Sequence, residues 1–275
     1  MGLALESLGI IAGSRSLPLE IARLARAGGV GRLVAVGFEG ETDSALEDLV
    51  DEITYVRVGQ LSKMIRAFKR FGITQCVMGG QIAPKNLFNV RPDLRAAALL
   101  LRLKEKNAHT IFGGIADELK KDGIELIRAT PWLSSLMPGA GFLIGPRLLT
   151  DQQEDLAFGL RLAKAVSRLE IGQSVVVKRG VVLAVEGFEG TDRCLRRGGE
   201  LAGKKGGAVA VKVAKEDHDM RFDIPCIGVS TIEACLDSSV EVLGIEAGRV
   251  IVLERDAIDR LIARRRFSVL TVGRD

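Results

Sequence analysis

The first half of the chain alternates short apolar runs with longer segments of helical spacing. The runs of strand length are residues 8–12, 33–36, 53–58 and 74–78. Residues 19–27 and 61–71 have the apolar spacing of amphipathic helices, and Pro18 stands where a first-turn proline belongs. Strands that alternate with helices predict a mostly parallel, Rossmann-like sheet whose ligand loops follow the carboxyl ends of its strands.

The pattern changes after two further predicted helices within residues 93–121. Residues 130–146 are rich in Pro and Gly, which is typical of a linker, and residues 151–167 again have helical spacing. A predicted hairpin and further strand and helix candidates follow. We therefore predict two α/β domains joined by a linker. The predicted boundaries are an N-terminal ligand-binding domain over residues 1–130, a linker region and helix over 131–170, and a mixed α/β catalytic domain over 171–275.

Composition limits the class of protein. Of 275 residues, 47 % are apolar, which supplies a large core, and 27 % are charged. A net charge of +4 is too small to argue for duplex nucleic acid but suits an anionic ligand or an anionic membrane surface. One Trp and one Tyr give little material for stacking single-stranded bases, so we expect no nucleic-acid partner.

Isolated cysteines in a chain of this size are typical of reduced, buried residues in a cytosolic protein. The four cysteines form no CxxC pair, and only His109 and His218 could join them, so a structural zinc site is not expected. The N-terminus has no signal-peptide pattern, and no apolar run approaches the ~20 residues that span a bilayer. We predict a cytoplasmic, soluble protein.

Two glycine-containing loops are candidates for anion binding. Gly13-Ser-Arg-Ser16 lies between the first strand and the first helix, where backbone amides bind phosphate or carboxylate. A second loop follows the fourth strand, and its glycines allow close approach to a ligand. A plain tight turn and a simple strand-to-loop transition are the alternatives. The candidate substrate-binding residues in these loops are Gly13, Ser16, Gly79, Gly80 and Gln81.

A carboxylate cluster ends the second strand of the predicted hairpin, in Glu186-Gly-Phe-Glu-Gly-Thr-Asp192. An N-cap role would account for Thr191 but not for Glu186, Glu189 and Asp192 within one short segment. Clustered carboxylates suit a hard divalent cation, above all Mg²⁺ shared with substrate phosphates. Glu186 and Asp192 are therefore candidate catalytic residues and metal ligands.

Three further residues carry charge in apolar surroundings. Lys212 lies within an apolar strand, where a phosphate contact would explain it, and a solvent-facing edge position is the alternative. Arg221 and Asp223 precede a strand that starts at Pro225. Asp223 is a candidate metal ligand or general base, although residue chemistry alone favours a turn aspartate.

Taken together, these segments resemble the UDP-2,3-diacylglucosamine diphosphatases of the LpxI type, which act in lipid A biosynthesis. The matching stretches run in family order over nearly the whole chain. They include Leu8-Gly-Ile-Ile-Ala-Gly13, Val182-Leu-Ala-Val-Glu-Gly-Phe-Glu-Gly-Thr-Asp192, Arg221-Phe-Asp-Ile-Pro-Cys-Ile-Gly228 and Gly244-Ile-Glu-Ala-Gly248.

The resemblance implies Mg²⁺-assisted hydrolysis of UDP-2,3-diacylglucosamine to lipid X and UMP, with the ligand held between the domains. It also implies that Asp223 is essential for turnover. In this interpretation Asp223, Glu186 and Asp192 are catalytic and bind the metal. The chain would contact substrate through Thr191, Lys212 and Arg221 as well as through the two glycine loops.

Other classes remain open from the sequence. One is a non-catalytic sensor of the same sugar nucleotide, and another is a dinucleotide-dependent oxidoreductase, against which the absent third glycine of the first loop argues. A structural or interaction protein would leave the Glu186–Asp192 carboxylates unexplained. A homo-oligomer and peripheral contact with the inner-membrane surface are further expectations, the latter with the basic run Arg264-Arg-Arg266 as a candidate and a solvated helix end as its alternative.

Overall fold

The computed structural model describes residues 5–82, 91–105, 108–215, 219–222 and 224–273, without the side chains of residues 108 and 109. Its contacts divide the chain into two compact units. The first unit comprises Met1–Ser134 with Asp219–Asp223, and the second comprises Ser135–His218 with Ile224–Asp275. The two-domain α/β fold predicted from the sequence is confirmed.

The first unit is built on a fully parallel five-stranded sheet in the order β3-β2-β1-β4-β5. Its strands are β1 (Ser7–Ala12), β2 (Arg32–Phe38), β3 (Glu52–Val56), β4 (Gln75–Gly79) and β5 (Glu125–Leu126). The first two are buried along nearly their whole length, as expected for strands covered on both faces. The strand order reverses between β1 and β4, and this switch point is where open α/β sheets bind ligands.

Helices cover this sheet, and their apolar faces form its core with the strands. They are α1 (Leu17–Ala27), α2 (Leu61–Arg70), α3 (Leu94–Arg102), α4 (Ala108–Lys121) and α5 (Thr130–Leu133). A 3₁₀ segment spans Ser44–Leu49. Helix α1 starts with Leu17 and Pro18, where the missing amide of proline costs no hydrogen bond.

The second unit contains a mixed six-stranded sheet in the order β6-β13-β11-β9-β7-β8, with β9, β11 and β13 parallel to one another. Strands β6 (Leu143–Ile144) and β7 (Ser174–Lys178) run antiparallel to these three, and β8 (Val181–Val185) is the antiparallel hairpin partner of β7. The central strands are β9 (Ala208–Lys212), β11 (Val240–Glu246) and β13 (Ser268–Val272). A separate parallel pair joins β10 (Cys226–Ile227) and β12 (Ile251–Val252).

Alternating side chains of this sheet pack into two apolar cores, one on each face. Helix α6 (Thr150–Arg168) covers the face that includes Val175 and Val211. The opposite face, which includes Val176 and Ala210, is covered by α7 (Thr191–Leu201), α8 (Val229–Asp237) and α9 (Arg255–Ile262). Because successive strand residues point to opposite faces, the two cores share every central strand.

The contact units differ from the predicted linker boundaries. Residues 135–170, predicted as linker region and helix, belong to the second unit. The reason is that α6 packs on β7 and β9, and that β6 pairs with β13 at the sheet edge. None of the helices in the described part of the chain is both long and apolar enough to cross a membrane.

Candidate active site

The candidate site of the second unit is centred on Lys212, at the carboxyl end of β9. This strand is central in the sheet, and Lys212 lies opposite Ser174 of β7 and Ile245 of β11. The Lys212 residue is only 8 % exposed. The solvent-facing edge position considered from the sequence is therefore wrong, and the buried ammonium group needs a partner, since an unpaired buried charge is costly.

A hydrogen-bonded chain joins Lys212 to the carboxylate cluster. The Lys212 Nζ donates to Thr191 Oγ1 at 2.9 Å, and the Thr191 hydroxyl donates in turn to Glu186 Oε1 at 3.0 Å. Ser174 Oγ lies 3.4 Å from the same Thr191 oxygen. The structure thus brings together three of the predicted site residues, with Ser174 beside them.

Local backbone contacts hold Glu186 in this chain. Its amide donates to Ser174 O at 2.9 Å, and the Gln173 amide donates to Glu186 Oε2 at 3.3 Å. A Cβ atom at Gly172 would lie 2.1 Å from Glu186 O, so only glycine fits against this backbone. The close contact between the two strand ends therefore fixes the position of the Glu186 carboxylate.

The alternative that Thr191 is only a helix cap is wrong. The N-cap of α7 is Gly190, whose φ of 83° lies in the left-handed region that favours glycine, and no side chain caps the helix there. Thr191 is the first helical residue, and its hydroxyl serves the Lys212–Glu186 chain instead.

Asp192, the next residue, connects two helix starts. Its Oδ1 accepts from Thr231 Oγ1 at 3.2 Å and its Oδ2 lies 3.4 Å from Ser230 Oγ, both in the first turn of α8. The first turns of α7 and α8 therefore meet at Asp192, near the buried ammonium. Helix N-termini carry partial positive charge and free amides, so this region favours anions.

Glu189 takes part in a different interaction. It accepts from Arg197 at 2.6 Å and from the Gly187 amide at 3.0 Å. The hydrogen bond from Arg197 lowers the pKa of Glu189. This carboxylate stabilises its own loop, which explains its presence without a ligand.

The predicted metal site is not tested by these contacts. Among the residues that the structure describes, no group of three His, Cys, Asp or Glu side chains could hold a metal ion. Asp223, the third predicted ligand, lies outside the described residues, so its catalytic role stays a prediction. Mg²⁺ is commonly held by one or two carboxylates together with phosphates and waters, and Glu186 and Asp192 offer oxygen donors of that kind.

The glycines of the two candidate anion-binding loops allow these two loops to pack closely against each other. The Gly13 amide donates to Gly79 O and the Ser14 amide to Gln81 O, each at 2.8 Å. A Cβ at Gly13 would lie 2.7 Å from Gln81 O, and one at Gly80, where φ is +88°, would lie 2.6 Å from Ser14 O. Loop packing alone therefore requires these glycines, and substrate contact by them stays a prediction.

Ser16 precedes α1 and makes no side-chain capping bond. Both loops lie at the switch point of the parallel sheet, after β1 and β4. This is the location that the sequence predicted for ligand binding, and a ligand role of Ser16 stays a prediction.

Arg221 belongs to the first unit and already has an anionic partner. Its Nη2 lies 2.6 Å from Asp219 Oδ2, and its Nε donates to both oxygens of the same carboxylate. This pairing lowers the pKa of Asp219 and raises that of Arg221. The neighbouring Phe222 is buried against Phe112, with ring centroids 5.7 Å apart, so the segment is anchored on the first unit. Substrate contact by Arg221 stays a prediction.

Sequence reasoning missed a buried acid on the other face of the sheet. Glu246, at the end of β11, is 4 % exposed and forms an ion pair of 2.6 Å with Lys164 of α6. It also accepts from the Ala214 amide at 2.9 Å, so it holds the chain that leaves β9 just after Lys212. A charged residue in an apolar strand was the available signal, the same one that identified Lys212. Ser174 was also missed as a site residue.

The fold and this site define a two-unit α/β protein with a buried lysine and a carboxylate cluster at the carboxyl edge of its second sheet. Residues 7–136 match the family model described as the LpxI N-terminal domain, and residues 139–270 match that of the LpxI C-terminal domain. The UDP-2,3-diacylglucosamine pyrophosphatase LpxI of Caulobacter vibrioides (strain ATCC 19089 / CIP 103742 / CB 15) is 30 % identical over 265 residues, which cover 92 % of this chain and 93 % of the relative. The chain belongs to the LpxI family, as the motifs predicted.

Proposed function

We propose that this protein hydrolyses the diphosphate bond of UDP-2,3-diacylglucosamine to 2,3-diacylglucosamine 1-phosphate (lipid X) and UMP in lipid A biosynthesis. The observation that carries the proposal is the buried ammonium of Lys212, linked through Thr191 to Glu186 at the carboxyl edge of the sheet. The name of the Caulobacter relative supports the substrate. We further propose that the protein acts in the cytoplasm, at or near the inner membrane.

The second unit supplies the electrostatics for a diphosphate. An ammonium carries three N–H donors, and among the described residues Thr191 is the hydrogen-bond partner of Lys212. The remaining donors, with the first turns of α7 and α8, suit phosphoryl oxygens whose negative charge grows during the reaction. Low exposure strengthens each of these interactions, because little water screens them.

Hydrolysis also needs a water molecule in line with the bond that breaks. The water oxygen bonds to phosphorus, and the bridging oxygen departs with the bonding electrons as an oxygen of the leaving phosphate. The protons lost from the water pass through a carboxylate base to solvent. We assign the orientation of this water to one of the carboxylates Asp223, Glu186 and Asp192. Glu186 is held by the Thr191 hydroxyl and the Gln173 amide, which fixes it for such a role.

Mg²⁺ fits the chemistry of these oxygen donors and is part of the proposal. Asp223, Glu186 and Asp192 would hold it, and when bound it would neutralise charge on the phosphoryl oxygens. The loops around Gly13 and Gly80 would bind the nucleotide or sugar at the switch point of the first sheet. Arg221 already forms an ion pair with Asp219. A substrate phosphate that contacts Arg221 would therefore share its guanidinium with the Asp219 carboxylate.

A non-catalytic sensor would bind the same ligand, and turnover distinguishes the two. Purified protein is incubated with UDP-2,3-diacylglucosamine and Mg²⁺ in ¹⁸O-labelled water, and products are identified by mass. We expect UMP and lipid X, with the label in one of them revealing which phosphorus is attacked. Loss of turnover with a chelator and its recovery with added Mg²⁺ would support the metal. Binding without release of UMP would favour the sensor.

A further inference from the structure

Helix α3 exposes an apolar stripe on the surface of the first unit. Leu94 is 92 % exposed and Leu101 is 84 % exposed, and the exposed Ala98 lies between them. Their spacing of four and three residues places all three on one face of the helix. Ala96 and Leu99, on the opposite side, are buried in the core. The stripe is therefore a second apolar face that the fold of this unit does not use.

The stripe is held rigidly on the unit. The Asp93 carboxylate caps α3 through the Ala96 amide at 2.9 Å and also accepts from the Ser62 amide of α2 at 2.7 Å. Arg95 bonds to Glu118 Oε2 at 2.6 Å and to Glu118 O at 2.9 Å on α4. Because α3 is tied at two points, contact through the stripe requires no folding of the helix.

Cations border the stripe. Arg102, in the last turn, lies on the same flank as Arg95, since residues seven apart are close to one line on a helix. Arg95 lines a surface cleft together with Arg66, Lys69 and Arg70 of α2. Arg91 and Lys104 are exposed beyond the two ends of the helix. Acids nearby offset part of this charge: Glu118 and Asp122 pair with Arg95 and Lys69, and Glu105 follows Lys104.

We propose that the α3 stripe and its cationic border dock the protein on an anionic lipid surface. An amphipathic helix with an apolar face and flanking Arg and Lys side chains lies in the interface of such a membrane. Anionic headgroups attract the border, while the leucines enter the acyl boundary. A second copy of this chain is a less suitable partner. A symmetric contact between two α3 stripes would place the Arg and Lys side chains of one copy close to those of the other, and these like charges repel.

This inference does not rest on the proposed reaction. If the protein does release a diacylated product, that product would enter the same membrane surface. The test is cosedimentation of the full chain with vesicles of phosphatidylethanolamine and phosphatidylglycerol, compared with phosphatidylcholine alone. We expect binding to the anionic vesicles that weakens as salt is raised. The L94S/L101S double variant should lower the partition constant by roughly tenfold for each leucine. R102S should lower it by about fivefold.

The matched control is L201S, because Leu201 is also an exposed helix residue, at 61 %, but lies in the second unit. It should bind vesicles as the unchanged protein does, and all variants should keep the circular dichroism and unfolding temperature of the parent. Binding that is absent in the parent, or unchanged in L94S/L101S, would overturn the proposal. Sedimentation that shows a dimer in the parent and a monomer in L94S/L101S, without vesicle binding, would assign the stripe to a second copy instead.

Hydrolysis of detergent-dispersed substrate separates this proposal from the proposed function. L94S/L101S should turn over dispersed substrate at the parental rate while it fails to bind vesicles. If the parent binds vesicles but has no hydrolase activity, the docking surface stands and the reaction fails. If it hydrolyses dispersed substrate but does not bind vesicles, the reaction stands and the docking surface fails.

Discussion

Replacing Lys212 by methionine should separate activity from stability. The change removes the ammonium but keeps most of the apolar stem within the sheet. Because Lys212 is only 8 % exposed, its charge interacts with little screening from water. Its hydrogen-bond partner among the described residues is a neutral hydroxyl, which leaves much of the cost of burying the charge uncompensated.

The stability terms of this substitution nearly cancel. The hydrogen bond from the ammonium to Thr191 contributes about 1.5–3 kcal/mol. Hydrogen bonds of 2.9 and 3.0 Å through Thr191 place Glu186 Oε1 no more than about 6 Å from the ammonium. At an effective dielectric constant of about 20, this attraction adds about 3 kcal/mol or more. Against these stands a desolvation penalty of several kcal/mol for a buried ammonium. We expect the free energy of unfolding of K212M to change by no more than about 2 kcal/mol in either direction.

The loss of activity in K212M, in contrast, has no compensating contribution. Loss of a group that stabilises developing phosphoryl charge should lower kcat by roughly 10²–10³-fold. The assay measures initial rates of UMP release, and urea unfolding gives the free energy of unfolding. K178M is the matched control, because Lys178 in the same sheet donates to Ala202 O at 2.6 Å, away from the carboxylate cluster. It should retain activity and lose about 1 kcal/mol of stability.

The reasoning would be refuted if K212M were destabilised by more than about 3 kcal/mol, as expected for breaking a buried ion pair, while its kcat stayed unchanged. That result would make Lys212 a structural lysine, held for its attraction to Glu186. An equal loss of activity in K178M would show that the assay reports general damage to the sheet.

Three further substitutions test other parts of the account. T191V should lower kcat while T191S restores most of it, because the hydroxyl that links Lys212 and Glu186 is what matters; equal rates in both variants would contradict this role. G80A should lower the free energy of unfolding by more than about 1 kcal/mol, since φ is +88° and the new Cβ would meet Ser14 O at 2.6 Å; an unchanged urea midpoint would show that the loops can separate. E118Q should cost about 1 kcal/mol at pH 7, because hydrogen bonds from Lys121 and Arg95 lower the pKa of Glu118 below 4.5. This stabilisation is present above the unfolded value and is lost as pH falls through the folded value, so the penalty in urea unfolding should shrink below pH 4.5. The exposed Glu52, 4.0 Å from Arg32, supplies E52Q as a matched control for the loss of a surface ion pair.

Local patterns predicted the longer elements of this fold. Buried strands such as β1 and β9 appear as apolar runs, and the hairpin of β7 and β8 is indicated by its turn residues. The two-residue strand β6 was missed because so short a segment has no periodicity and is stabilised by its pairing with β13. Its position inside the predicted linker explains why those boundaries differ from the contact units.

The candidate site was predictable only where chemistry conflicted with local pattern. A lysine in an apolar strand and carboxylates after a hairpin identified Lys212 and Glu186. Ser174 carries no such signal, since its place opposite Lys212 depends on the register of an antiparallel pair. Likewise, the segment that carries Arg221 belongs to the first unit because Phe222 is buried in the core of that unit. The sequence alone gives no sign of this, since the segment is far along the chain from the rest of that unit.

The central claim is that this chain turns over a sugar-nucleotide diphosphate, and a comparison of turnover with binding tests it most directly. Release of UMP from UDP-2,3-diacylglucosamine is measured with Mg²⁺ for the parent and for D223A, and binding of the same substrate is measured in parallel. The account predicts many UMP molecules released per parent molecule and none by a folded D223A that still binds substrate. Stoichiometric binding by the parent without UMP release, or parental turnover in D223A, would contradict it.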